Sequence, residues 1–278
     1  MKKNILSFLF LAVLVSCSSD SGGTETVSTT IDYFVEDTKI SEGLIVTSHI
    51  NERYDLVDGK YFSTTSSNGT FQTHHYTNGL LTDEYTNMEA HYTYNGQQLI
   101  AMRYNRGGPD QFRRFVAMSA TTYYVEVLTA PYDDPATQVT QRIIEEFDSN
   151  DDLIAVGEDA NFDGVMDAAK HFTYQNGDLT QTEDANGMIY TYQYTDVVNN
   201  YNAILENTYG KKSKRLIFVQ EYLDIITNSG LVNPVHLKQN GFVDTEYEVM
   251  SNHYFRKRHS EFDIDNSHYQ LKSTFYFK

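Results

Sequence analysis

Four oxygen-bearing side chains lie in one short segment of the chain with the spacing of a calcium-binding loop. Asp159, Asn161, Asp163 and Asp167 occupy positions 1, 3, 5 and 9 of an EF-hand-type loop, and Gly164 occupies position 6, where such a loop turns sharply. Calcium takes about six to eight oxygen ligands at about 2.3 to 2.6 Å, which requires clustering of this kind. The pattern therefore predicts a calcium site, and calcium is the one cofactor that the sequence suggests.

The same segment also fits a turn between strands. The twelfth loop position, where a bidentate glutamate normally completes the calcium shell, is Lys170. The tetrapeptide Glu-Asp-Ala-Asn that opens the loop recurs at residues 183–186, again before a glycine but without the later aspartates. Asp-Gly and Asn-x-Asp sequences are common in turns, where Asx hydrogen bonds stabilise them. A calcium loop and a turn of a repeated hairpin are both open alternatives on the sequence.

Signatures of other catalytic sites are missing from the sequence. It contains no His-Glu-x-x-His, Cys-x-x-Cys or Gly-x-Ser-x-Gly motif, and hence no metalloprotease or serine-hydrolase signature. A pair of carboxylates on a sheet face could serve a glycoside hydrolase. At a net charge of −17, however, most acidic residues are expected to be solvated surface groups. The same charge disfavours nucleic acid as a partner.

The N-terminal segment has the composition of an export signal. Lys2 and Lys3 precede an apolar run that is too short to span a bilayer as a helix and that ends in Leu-Val-Ser-Cys at Cys17. This tetrad resembles the lipobox of bacterial lipoproteins. The resemblance implies that residues 1–16 are a cleaved signal peptide and that Cys17, the only cysteine, becomes lipidated. Residues 17–30 are then the lipidated cysteine and a small, polar, flexible tether.

The rest of the chain is predicted to be mainly β. Its many tyrosines, 22 in the whole chain, suit half-exposed strands, because the ring packs while the hydroxyl stays hydrated. Asp-Gly and Asn-Gly pairs favour the type I′ turn of β-hairpins. They occur at residues 58–59, 68–69, 78–79, 95–96, 163–164, 176–177 and 186–187. So many turns in succession predict a chain of hairpins.

Four of these hairpins share a wider pattern of aromatic residue, turn and leucine, at residues 76–82, 94–100, 147–154 and 174–180. Together with YTYNGQQLIAMRY and DANG followed by YTYQY, the pattern resembles the YD or Rhs-type repeat. It is also similar to a group of uncharacterised Bacteroidetes lipoproteins with porin-like sheets. The resemblance implies an extended antiparallel meander of hairpin repeats over residues 31–210, an open or partly closed porin-like sheet. It implies no catalytic residue.

One segment departs from the hairpin pattern. Apolar residues at helical spacing, beginning with Leu216 and Val219, predict one amphipathic helix near residues 213–229, with Ser213 as its N-cap and Gly230 as its stop. Three strands, at residues 242–251, 253–262 and 268–278, are predicted after it. Residues 211–278 are thus expected to complete the same domain as the repeats.

These features together predict a non-catalytic lipoprotein of the cell envelope. It would be attached to the outer membrane, on the periplasmic face or at the cell surface. Its tyrosine-rich sheet would bind a polysaccharide or an envelope protein. The alternative is an envelope glycan hydrolase with a carboxylate pair on the sheet face.

Overall fold

The computed structural model describes residues 30–42, 45–67, 69, 71–85, 89–105, 107–219, 236–238, 244–264 and 267–277. Cys17, the predicted signal peptide and all of the tether except Thr30 lie outside these ranges. The described elements, in chain order, are β1 (Ile31–Glu42), β2 (Ile45–Val57), β3 (Lys60–Ser66), β4 (Phe71–Thr77), β5 (Leu80–Tyr85), β6 (Glu89–Asn95), β7 (Gln98–Asn105), β8 (Gln111–Ala117), β9 (Thr122–Leu128), β10 (Val139–Phe147), β11 (Leu153–Glu158), β12 (Asp167–Gln175), β13 (Asp178–Glu183), β14 (Ile189–Thr191), β15 (Tyr194–Val198), α1 (Asn200–Tyr209), α2 (Lys211–Ile217), β16 (His236–Lys238), β17 (Asp244–Val249), β18 (Phe255–Ile264) and β19 (Ser267–Phe277).

Seventeen of these strands form one antiparallel meander, which confirms the predicted fold class. Each strand from β1 to β14 pairs with the next along the chain. β1 also pairs with β19, which pairs with β18, which pairs with β17. β15 and β16 form a separate two-stranded sheet. The described ladders leave the large sheet open.

The four predicted aromatic, turn and leucine segments fold into hairpins of one design. In each, the aromatic residue is the cross-strand partner of the leucine, and the register shifts by one residue immediately beyond that pair. The pairs are Tyr76 with Leu81, Tyr94 with Leu99, Phe147 with Leu153, and Tyr174 with Leu179. All four leucines are buried. The aromatic, turn and leucine pattern in the sequence therefore corresponds to a cross-strand pair that packs into the core.

Turn geometry matches the prediction at some hairpins and differs at others. Asn78 and Gly79 both have positive φ, 53° and 79°, as a type I′ turn requires. At the 95–96 pair the turn instead centres on Gly96 and Gln97, because Asn95 already pairs with Gln98 in the ladder. The 163–164 and 186–187 pairs lie in longer loops between strands.

The buried apolar side chains form two clusters. The first core lies between the sheet and α2, and the second core lies between β1, β2, β18, β19 and α1. The first core consists of Leu81, Ala90, Tyr92, Leu99, Met102, Phe115, Tyr123, Val125, Ile143, Phe147, Leu153, Val156, Phe172, Leu179, Leu216, Ile217 and Val219. The second core consists of Ile31, Phe34, Leu56, Val197, Ile204, Phe255 and Phe275.

The helical region differs from the prediction, because the described part of the chain contains two helices where one was predicted. α1 was not predicted, and α2 begins two residues before Ser213, which therefore lies inside the helix and is not its N-cap. Lys214 and Arg215 lie in the last turn of α2, where the helix dipole favours cations. The predicted continuation over residues 220–229 and the predicted stop at Gly230 lie outside the described residues. No helix in the described ranges is long and apolar enough to cross a membrane.

Candidate functional site

The predicted calcium loop connects β11 to β12. Asp159, directly after β11, is fully buried, whereas Asn161, Asp163 and Asp167 are exposed. Asp159 Oδ2 accepts hydrogen bonds from the Gly164 amide at 3.1 Å and from Arg142 Nη1 at 3.2 Å. The structure thus brings the four residues into one loop and places an arginine against the first of them.

The other three side chains bond the backbone of the loop itself. Asn161 Oδ1 accepts from the Asp163 amide at 3.1 Å, and Asp163 Oδ1 accepts from the Val165 amide at 2.9 Å. Asp167 Oδ2 accepts from the Ala160 amide at 3.0 Å. Within the described ranges, no group of three or more His, Cys, Asp or Glu residues is placed to hold a metal ion. The geometry favours the turn interpretation, and calcium binding stays a prediction.

The second copy of the tetrapeptide uses its aspartate in the same way. Asp184 Oδ1 accepts hydrogen bonds from the amides of Asn186 at 2.9 Å and Met188 at 2.8 Å. In both copies the aspartate follows the last residue of a strand and closes the loop by accepting backbone hydrogen bonds. This shared role explains the recurrence of the tetrapeptide.

A groove lies beside the β12–β13 turn and is the site of greatest chemical interest. We call it the aromatic groove. It has a volume of about 460 Å³ and is lined by Gln175, Asn176, Asp178, Thr180, Tyr192, Gln193 and Tyr194. The lining thus combines two aromatic rings, amide side chains, a hydroxyl and one carboxylate.

Two contacts fix the tyrosines of the aromatic groove. The Tyr192 amide donates to the Thr180 carbonyl at 3.0 Å, which ties the chain after β14 to β13. The Tyr194 hydroxyl donates to the Leu179 carbonyl at 2.6 Å. Gln175, at the end of β12, and Gln193 are exposed. The rings are therefore held against the hairpin, while the amide side chains face solvent.

The aromatic groove is lined by one acidic side chain and by no basic one. Burial, assisted by Asp178 and Tyr192, raises the pKa of the Tyr194 phenol, so this group stays protonated at physiological pH. Asp178 is the one acid among the residues that line the groove. A glycoside hydrolase of the usual kind needs two carboxyl groups flanking its substrate.

A half-buried carboxylate outside the groove, Glu84, serves the fold. Glu84 accepts hydrogen bonds from the hydroxyls of Tyr92, at 2.9 Å, and Tyr209. Burial tends to raise the pKa of Glu84, but the hydrogen bonds from His74, Tyr209 and Tyr92 hold it below its ordinary value. Glu84 therefore joins β5 to β6 and α1 as a charged structural group.

Sequence reasoning identified the hairpin that forms the aromatic groove but not the groove. The segment 174–180 and the Tyr-Thr-Tyr-Gln-Tyr run were both noted as repeat motifs. The pairing of β14 with β13 places Tyr192, Gln193 and Tyr194 beside the preceding turn. The one feature of the sequence that could have indicated the groove is the short distance between the two motifs along the chain.

Comparison with known proteins gives similarity to solved structures only. No family model matches the chain, and no curated protein matches it. Among solved structures, it is similar to a porin-like protein from Bacteroides uniformis ATCC 8492, with 10% sequence identity and a TM-score of 0.39. The match covers 90% of this chain and 98% of that chain.

Proposed function

We propose that this protein is a non-catalytic lipoprotein of the cell envelope, anchored through Cys17, that binds a polysaccharide in the aromatic groove. The observation that carries the proposal is the lining of the groove. Aromatic rings stack on the apolar faces of sugar rings, and amide and hydroxyl groups pair with sugar hydroxyls. The groove supplies Tyr192 and Tyr194 for the first role, and Gln175 and Gln193 for the second.

A polysaccharide fits this site better than the other ligands considered. A hydrolase would need a second carboxyl group beside Asp178, and no other acid lines the groove. A protein partner would need an extended interface of about 800 Å² on each side, whereas the groove is small and polar.

Binding of the full-length protein to an array of envelope and dietary polysaccharides tests the proposal. We expect one structural class of glycan to be retained, and calorimetry to show that the double variant Gln175→Ala/Gln193→Ala binds it about tenfold more weakly, because two hydrogen bonds are lost. Gln97→Ala is the matched control, since Gln97 is exposed at the equivalent turn of the β6–β7 hairpin.

Two outcomes would contradict the proposal. One is the absence of any retained glycan from the array, and the other is an equal loss of affinity in Gln97→Ala. The same preparations test the anchor, since Cys17→Ser should release the protein from the membrane fraction.

A further inference from the structure

A buried lysine and a buried asparagine meet at the corner between α1 and α2. α1 ends at Tyr209 and α2 begins at Lys211, and Gly210 between them has a φ of 81°, so the chain can turn sharply. Asn202 on α1 and Lys214 on α2 are 2% and 0% exposed. Lys214 Nζ donates a hydrogen bond to Asn202 Oδ1. The amine nitrogen thus lies next to the carboxamide carbon to which that oxygen is bonded.

A carboxylate completes this group. Glu206, one helical turn after Asn202, places Oε1 3.5 Å from Lys214 Nζ. The same oxygen is 3.6 Å from Arg215 Nη1. Oε1 is itself shielded from solvent and has no hydrogen-bond partner within normal distance. An amine, a carboxamide and a proton-accepting carboxylate therefore share one buried site.

Lys214 is costly to keep as an ammonium ion in this place. Its contact with Glu206 is longer than the about 2.7 to 2.9 Å of a strong charge-assisted hydrogen bond. Burial lowers the pKa of Lys214 to about 8, and Arg215 acts in the same direction, against the attraction of Glu206. Desolvation of this kind makes a lysine amine available as a nucleophile near neutral pH.

We propose that Lys214 and Asn202 are joined by an intramolecular isopeptide bond. Glu206 accepts a proton from the Lys214 ammonium, and the freed Nζ lone pair attacks Cγ of Asn202, so that an N–C bond forms and the C=O electron pair moves to Oδ1. When this pair returns, the Cγ–Nδ2 bond breaks. The proton held by Glu206 and one from Nζ pass to the leaving nitrogen. Lysine ammonium and carboxamide thus become a secondary amide and ammonium, with no oxidant or reductant.

The product also suits the site better than the reactants do. An uncharged secondary amide replaces an ammonium ion that has lost its hydration, and this removes the cost of burying that charge. The new bond would link α1 to α2 across their corner. It would thereby fix the orientation of α2, which carries Leu216 and Ile217 into the first core. This proposal is independent of what the aromatic groove binds.

Peptide mapping of the full-length protein by mass spectrometry tests the bond directly. Trypsin cleaves after Lys170, Lys211, Lys212 and Arg215, but not after a lysine whose amine is acylated. We expect residues 213–215 to remain uncut and to be attached to the peptide 171–211. The mass of this pair should be lower than the sum of its parts by one ammonia molecule.

Two variants serve as controls. Lys214→Arg keeps a buried cation and cannot form the amide, so it should give separate peptides without loss of ammonia. Glu206→Gln keeps both reacting groups but lacks the proton acceptor, and we expect at least a tenfold lower fraction of linked peptide. Wild-type protein that stays unlinked after prolonged incubation at pH 9 would overturn the proposal. So would an equal loss of ammonia in Lys214→Arg, because it would assign that loss to Asn202 alone.

Discussion

The two cores of this protein differ in the side chains that form them. The second core contains a group of contacting rings around Phe34, whose ring centroid lies 4.3 Å from that of Tyr54 and 4.9 Å from that of Phe275. The first core is largely aliphatic and receives α2, which brings buried charges with it. The stability of the second core depends on the packing of its rings. That of the first core depends also on the pairing of the charged side chains buried beside it.

Most of the charged side chains beside the first core are paired, and one is not. Asp152 Oδ1 accepts a hydrogen bond from Arg215 at 3.0 Å and forms an ion pair with Lys211 at 2.8 Å. Glu145 on β10 is fully buried, and neither of its oxygens has a hydrogen-bond partner. Pairing offsets the cost of burying a charge, and an unpaired charge bears that cost in full. The stability of the first core should therefore depend on pH, whereas that of the second core should depend on shape.

The largest effect is expected from removing a ring of the second core. Phe34→Ala deletes a side chain that is 1% exposed and contacts four other rings. We expect the free energy of unfolding in urea to fall by about 3 to 5 kcal/mol, because a cavity is left. Phe62→Ala is the control, since Phe62 is 51% exposed. A similar decrease in the free energy of unfolding in both variants would show that the ring cluster contributes no more to stability than an exposed ring does.

A smaller effect that depends on pH is expected in the first core. Burial raises the pKa of Glu145 to about 8 from an ordinary value of 4.5, against the opposing influence of Arg215 and Arg113. The folded state therefore binds this proton more tightly, so wild-type stability should fall as pH rises from 4.5 to 8. Glu145→Gln mimics the protonated acid. We expect it to be more stable than wild type by about 2 to 4 kcal/mol at pH 8, with little difference near pH 4.5.

The neighbouring residue provides the control for that measurement. Glu146 is exposed on the same strand, and Glu146→Gln should leave the pH profile of urea unfolding unchanged. If Glu145→Gln follows the wild-type profile, Glu145 does not titrate in this range. The expected difference between the cores, in which ionisation affects the first and packing the second, would then be wrong.

The smallest effect is expected at the loop that borders the first core. Because Asp159 already bonds Arg142 and a backbone amide, millimolar calcium should leave the thermal midpoint of the full-length protein unchanged relative to chelator. A ligand that binds only the folded state would raise stability by about 2.7 kcal/mol at a hundred times its dissociation constant. A calcium-specific rise that vanishes in Asp163→Ala would establish the calcium site instead.

The hairpins could be predicted because their information is local. In three of the four, the aromatic residue and its leucine partner are five positions apart, around a two-residue turn. The pairing therefore needs nothing beyond the segment itself. In two of the hairpins the residue after the leucine is a threonine whose hydroxyl bonds the opposite strand: Thr82 and Thr180 donate to the carbonyls of His75 and Thr173 at 3.2 and 3.1 Å.

The helices and the buried charges could not be predicted in this way. α1, with the sequence NYNAILENTY, has few apolar residues, and its buried positions include Asn200, Asn202 and Thr208. Lys214 and Arg215 resemble solvated surface residues in any sequence pattern, yet they are 0% and 2% exposed. Arg215 bonds Asp152, which is 63 residues away in the chain. Lys214 meets Asn202 and Glu206 only because the chain turns between α1 and α2.

The position of β1 has a consequence for the order of events during biosynthesis. β1 lies between β2 and β19, and its register with β19 runs from Ile31 to Glu42. A hydrogen bond between Ser273 and Glu36 spans 237 residues of chain. During synthesis β1 can therefore pair with β2 first, and its other side stays unpaired until β19 has been made.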